Sequence, residues 1–109
     1  MAKIIWTGPA LKDLEVIARY IAVDSPRYAE RFAKRLVRAP KVLKRHPQLG
    51  RVVPEFNRAC TRELIYASYR IVYEIRDTDC FITAVIHASR DLMRHYSPGE
   101  WDITDQPLS

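Results

Sequence analysis

The sequence predicts an α+β domain in which a short N-terminal strand and an αα-hairpin pack on one face of a mainly antiparallel sheet, completed by a three-stranded meander. Three observations carry that prediction. Two helix-start signals, Thr7-Gly8-Pro9 and Ser25-Pro26, each precede an amphipathic run. Three strand-like runs rich in β-branched and aromatic residues then follow one another between Thr61 and Ala88. Finally, 109 residues suffice for one apolar core without a disulfide or structural metal, so residues 1–96 read as a single domain and 97–109 as a C-terminal tail.

Taken in order, Lys3 to Trp6 is a short β-like run. Thr7 or Gly8 caps the first helix, with Pro9 in the first turn, where its missing N–H costs nothing. Leu11, Leu14, Ala18 and Ile21, with Ala10 and Ile17 beside them, recur at helical spacing, while Lys12, Asp13, Glu15 and Arg19 take the other face, to about Val23. Ser25 and Pro26 start a second helix after almost no loop, which predicts an antiparallel αα-hairpin. This second helix turns Tyr28, Phe32, Leu36 and later Leu43 inward. It carries Arg27, Arg31, Lys34, Arg35, Arg38, Lys41, Lys44 and Arg45 against one acid, Glu30. Pro40 removes a backbone donor and disfavours helical geometry at Ala39, so a kink or break is expected there, with the helix over by His46-Pro47.

His46 to Phe56 reads as a loop with two prolines and a glycine. The strands of the meander are Thr61–Tyr66, Tyr69–Arg76 and Cys80–Ala88, joined at Ala67-Ser68 and at Asp77-Thr78-Asp79. In the middle strand Ile71, Tyr73 and Ile75 alternate with Arg70, Val72, Glu74 and Arg76. That alternation predicts one face packed on the helices and one that offers charge to solvent or a partner. The tail SPGEWDITDQPLS reads as extended or partly disordered, with Trp101 as a surface anchor.

Composition narrows the function classes. No apolar run is long enough to span a membrane, and the N-terminus has too few apolar residues before its turn signals to form a signal-peptide core, so a cytoplasmic protein is expected. Cys60 and Cys80 are isolated, which favours reduced thiols over a metal site, and no cofactor is expected. Residues 1–50 hold 11 Lys and Arg against 4 Asp and Glu, and residues 51–109 hold 7 against 9, so the +5 total divides into +7 and −2. A basic half suits nucleic acid or an acidic protein partner.

The stretch VIHASRDLMRHY, Val85 to Tyr96, crowds His87, Arg90, Asp91, Arg94, His95 and Tyr96 behind a strand. Such side chains can move protons and bind phosphate. Each also has a plain structural role: His87 as a hydrogen-bonding strand end, and Asp91 as a helix cap or a partner for Arg90. Arg70 on the open face of its strand, with Arg90 at the end of the next, would make an acceptor site for phosphate or carboxylate.

The ordered set of Ala10, Asp13-Leu14 and Ile17 through Tyr20-Ile21, Ser25-Pro26 with Ala29 and Phe32, Pro47 with Gly50-Arg51, Arg62-Glu63-Leu64, Tyr69-Arg70-Ile71-Val72-Tyr73 and His87-Ala88-Ser89-Arg90-Asp91-Leu92 resembles the RelE/ParE toxin superfamily of bacterial type II toxin–antitoxin modules. The resemblance covers nearly all of the chain to about Tyr96. It implies a toxin that arrests growth and is neutralised by a cognate antitoxin through an acidic helical segment, with operator DNA contacted only through that antitoxin and no membrane partner. Within the superfamily, RelE-like members cut messenger RNA on the ribosome and ParE-like members inhibit DNA gyrase.

The resemblance is closer to the ParE-like branch. RelE-like nucleases place lysines on the strand before the YR motif, whereas the matching positions here are Thr61 and Glu63, and a carboxylate repels a scissile phosphate. Gyrase is therefore the expected target, with plasmid stabilisation the expected type of module, and no catalytic residue is assigned. Arg62, Arg70, Arg90 and Arg94 are the expected target-binding residues, and Arg31, Lys34, Arg38 and Leu14 the expected antitoxin-binding ones. Under the alternative of a ribosome-dependent nuclease, the catalytic set would come from Glu63, Arg70, His87, Arg90, His95 and Tyr96. Glu63 has a plain alternative as an ion-pair partner of Arg70 or Arg90. A non-toxic relative acting only as a binding module is the third reading.

Overall fold

A computed structural model of the chain describes residues 1–96 and Pro98. Strand β1 (Ile4–Trp6) leads into helix α1 (Gly8–Ala22), helix α2 (Pro26–Arg38) and a 3₁₀ segment (Ala39–Lys44). Strands β2 (Arg51–Val52), β3 (Thr61–Tyr66), β4 (Tyr69–Arg76) and β5 (Asp79–His87) follow, and then a short helix α3 (Leu92–His95). Both helix starts form where their signals lie. The Thr7 hydroxyl accepts the Ala10 N–H at 3.4 Å and donates to the Ile82 carbonyl at 2.7 Å, while the Ser25 hydroxyl accepts the Tyr28 N–H at 3.2 Å. Helix α2 stops at Arg38 and tightens into 3₁₀ geometry, the break expected at Pro40.

The sheet order is β1-β5-β4-β3-β2. β1 runs parallel to β5, with Trp6 opposite Ile82, and β3, β4 and β5 form the expected antiparallel meander. The segment expected to be all loop differs. Arg51 and Val52 pair with Glu63 and Arg62, adding a two-residue edge strand too short to show a period in the sequence. Gly50 allows that approach, because a Cβ there would lie 2.6 Å from the Glu63 carbonyl oxygen and 2.7 Å from the Tyr73 ring. The Tyr73 hydroxyl accepts the Gly50 N–H at 2.9 Å and donates to the Pro47 carbonyl at 2.8 Å, which holds the segment against the sheet.

A bulge sets which side chains face which way. Val72 pairs with Ala84 and Tyr73 with Ile82, so Thr83 is left over and the alternation along β5 flips. Cys80, Ile82 and Val85 therefore join the helix-side core with Trp6, Phe32, Leu36, Ile71 and Tyr73. Ala84 and Ile86 point to the opposite face.

That opposite face corrects the sequence expectation. Instead of offering charge to solvent, it buries a second apolar cluster of Val53, Val72, Ala84, Ile86, Leu92 and Tyr96, with Phe56 packed against it. The chain following β2 and the helix following β5 both return across the sheet, and neither return is visible in the period of a strand. The expected tail, residues 97–109 with Trp101, lies outside the described residues apart from Pro98.

Candidate functional site

The covered face holds the charged residues that the sequence had placed in the open. Arg70 is 7% exposed. Its Nε donates to Glu63 at 2.5 Å, and its two terminal nitrogens form a bidentate pair with Glu55 at 2.6 and 2.7 Å. Glu63, fully buried, accepts from Arg51 Nε through its other oxygen at 2.5 Å. Two guanidinium groups thus meet two carboxylates. The Arg70 hydrogen bonds hold the Glu55 carboxyl down to about 2, against the burial that raises it, and the same pairing with Glu55 raises Arg70 further above its usual range.

Tyr96 also belongs to this face. Its hydroxyl donates to the buried carboxylate of Glu74, and burial, then that bond, push it well above the ordinary phenol range. Thr61 is fully buried as well. Arg62 is only partly buried, but it is not free either. Its guanidinium donates to the carbonyls of Ala59 at 2.9 Å, Gln48 at 3.2 Å and Gly50 at 3.0 Å, clamping the segment around β2.

The end of β5 gathers a different set. His87 Nδ1 accepts the Ser89 N–H at 3.1 Å and lies 2.7 Å from the Ser89 hydroxyl, while its ring stands edge-on to Tyr69 at 5.3 Å. This is the strand-end hydrogen bonding expected of it. Asp91 caps α3 by accepting the Met93 N–H at 3.0 Å. Arg90 is exposed, and Arg94 extends into solvent 3.7 Å from Asp91.

Sequence reasoning missed Asp13, which it read as part of a solvated helix face. β1 ends opposite Ile82, so the Val85 N–H on that edge of β5 has no strand partner, and Asp13 from α1 accepts it at 2.9 Å. Both Asp13 oxygens also lie 2.9 to 3.0 Å from His95 Nε2, tying α1, β5 and α3 together. Around this junction opens a cleft of about 640 Å³, with Val16, Ile17, Tyr20 and Tyr69 as apolar wall and Lys12, His87, Arg90 and His95 as polar rim. Val16 and Tyr20 on α1 and Val23 at its C-terminal cap continue outward, 57%, 78% and 84% exposed. Helical spacing sets these three on the side opposite Leu11, Leu14 and Ile21, but sequence reasoning gave them no role.

The family model for the ParE toxin of the type II toxin–antitoxin system, parDE, matches residues 4–92. The chain belongs to the ParE toxin family. Within the wider RelE/ParE superfamily, the Toxin RelE2 of Caulobacter vibrioides is 38% identical over 91 residues, covering 83% of this chain and 99% of that protein. A chain of the chromosomal ParDE system of P. aeruginosa shares the fold at a TM-score of 0.67 and 20% identity, over 80% of this chain and 96% of that one. A chain of the RelBE2 toxin–antitoxin complex of Mycobacterium tuberculosis aligns at 0.52 and 26% identity, over 79% and 96%.

In this ParE-family chain the six residues of the nuclease alternative do not form one site. Glu63, Arg70 and Tyr96 are buried under the second face, whereas His87, Arg90 and His95 line the cleft. Of the expected antitoxin contacts, Arg31, Lys34 and Arg38 are exposed on α2 and Leu14 packs against the helix-side core. Among the described residues no group of three or more His, Cys, Asp or Glu is placed to hold a metal ion, and no helix is long and apolar enough to cross a membrane. Both cysteines are free, and burial pushes the Cys80 thiol up to about 11.

Proposed function

We propose that this chain is the toxin of its module, that it arrests growth by binding and inhibiting DNA gyrase rather than by cutting RNA, and that a cognate antitoxin neutralises it. The single observation that carries the choice of target is the state of Arg70. Cutting RNA through its own 2′-hydroxyl needs a free cation for the phosphorane-like transition state, with a base and an acid within reach. The Arg70 guanidinium is instead occupied by Glu63 and Glu55, and Tyr96 is spent on Glu74. A phosphate reaching that face would have to displace two carboxylates. The exposed Arg90 and Arg94 then act as contacts to an acidic patch on the target.

Antitoxin binding is best supported on α1. An amphipathic helix needs apolar anchors in a groove, and Val16, Tyr20, Val23 and the adjoining cleft supply them, whereas Leu14 is turned into the core. The cations of α2 contribute at most to steering an acidic partner.

A second reading, ribosome-dependent RNA cleavage, draws on the RelE2 likeness and on the Asp13–His95 pair beside Arg90. Purified toxin in a supercoiling assay, together with transcript mapping after induction, separates the two. The gyrase reading expects loss of supercoiling, filamentous cells and intact messenger RNA. Codon-periodic cuts within minutes of induction, abolished by His95→Gln, with supercoiling unaffected, would overturn it.

A further inference from the structure

Helix α2 and the 3₁₀ segment after it carry eight cations and one acid between Pro26 and Arg45. Arg27, Arg31, Lys34 and Arg38 follow one another by four, three and four residues, which at about 100° per residue places them within about 60° of one another on the helix. All four are exposed, and the side opposite them buries Ala29, Phe32 and Leu36. The stripe is about 17 Å long at 1.5 Å per residue, with a charge every 4.5 to 6 Å or so. Among the described residues its one ion pair is Lys34 with Glu30 at 3.0 Å, both side chains more than half exposed, so little of the charge is cancelled.

Helix stability does not account for this arrangement. The helix dipole favours Arg35 and Arg38 in the last turn, but it disfavours Arg27 in the first, which contains no acid. Arg27 with Arg31, Arg31 with Arg35, and Lys34 with Arg38 are also like-charge pairs four residues apart, each of which destabilises an isolated helix. A protein partner is an equally poor explanation. Arginine is common in protein interfaces, but there it works beside buried apolar or aromatic anchors, and no apolar side chain lies within this stripe. A phosphate backbone asks for evenly spaced cations and for nothing else.

We infer that the α2 stripe of Arg27, Arg31, Lys34 and Arg38 binds the phosphate backbone of duplex DNA without regard to sequence. Single-stranded RNA is a worse match, since its recognition relies on aromatic platforms that the stripe lacks. The toxin then contributes its own DNA contact, in addition to whatever its antitoxin makes. This inference does not depend on the choice between gyrase and ribosome as target.

The test titrates the full-length toxin into a fluorescein-labelled 20-base-pair DNA of arbitrary sequence at several salt concentrations. Four phosphate contacts predict a slope of log affinity against log salt of about −3.6. The variant Arg31→Gln/Lys34→Gln/Arg38→Gln should flatten that slope by about 2.7 and weaken binding at least about tenfold at low salt. Removing the same amount of charge elsewhere, by Lys3→Gln/Arg19→Gln/Arg58→Gln, should have a clearly smaller effect. Circular dichroism confirms that both variants are folded. Equal losses in the two variants would reduce the effect to net charge and overturn the site. So would undetectable DNA binding, tighter stripe-dependent binding to an RNA of the same sequence, or a stripe variant that loses affinity for the antitoxin at physiological salt while keeping its affinity for DNA.

Discussion

At the scale of single residues, Arg70 shows how burial changes the meaning of a charge. On an open strand it would be a recognition residue whose loss costs about 1 kcal/mol or less in stability. In its observed setting, replacing it leaves the buried Glu63 with only the largely exposed Arg51 as a partner and takes the bidentate partner away from Glu55. Arg70→Gln is expected to cost on the order of 3–5 kcal/mol in urea unfolding, and the apolar pair Arg70→Met/Glu63→Leu should recover much of that loss. A cost near 1 kcal/mol for the single change would show that the network is looser than its geometry. Glu55 adds a pH signature. Its folded value of about 2 lies below the ordinary 4.5, so its stabilisation is complete above the ordinary value and is lost as pH falls towards 2. Melting temperatures measured from pH 5 to pH 2.5 should fall less steeply in Glu55→Gln than in the parent.

At the scale of elements, α1 divides between two tasks on its two sides, of which sequence reasoning assigned only the core-facing one. Leu11, Leu14, Ile17 and Ile21 pack against the core, while Val16, Tyr20 and Val23 form a second apolar line that nothing in the chain covers among the described residues. Tyr20→Ser/Val23→Ser should shift stability by no more than about 0.5 kcal/mol, because both side chains are already in water. If this line anchors the antitoxin, the same change should weaken the complex by about tenfold or more in calorimetric titration. An unchanged affinity would move the antitoxin interface off α1. Asp13 illustrates a similar division, since a residue on the polar side of the helix closes the strand edge that β1 leaves open at Val85.

At the scale of the whole molecule, one sheet separates two cores, and the second depends on chain segments that no periodicity announces. Leu92 and Tyr96 from the far end of the domain and Val53 and Phe56 from the β2–β3 connection meet over Val72, Ala84 and Ile86. Truncation after Asp91 should therefore keep the helical hairpin and the meander but uncover this face. A lower urea midpoint and new binding of a hydrophobic dye are expected. An unchanged midpoint would mean that the second core adds nothing to stability. The superfamily likeness spans both cores, which is why the fold was legible from ordered motifs although the second core was not.

The sequence by itself determined the helical hairpin, the break at Pro40, the meander and its turns, and membership of the toxin superfamily, because each depends on neighbours a few residues apart or on an ordered set of motifs. Capping, proline geometry and two-residue alternation are local physics, and local physics can be read along a chain. Which charges are free was decided only in three dimensions. Arg70 is neutralised by Glu63, seven residues away in sequence, and by Glu55, fifteen away, while His95 meets Asp13 across 82 residues. A carboxylate beside a guanidinium leaves no mark on hydrophobic period or spacing, since the two residues look the same in the sequence whether they face water or each other. The tertiary structure closed one candidate site by pairing its charges and opened another along α1, and both outcomes follow from which groups the fold withdraws from solvent.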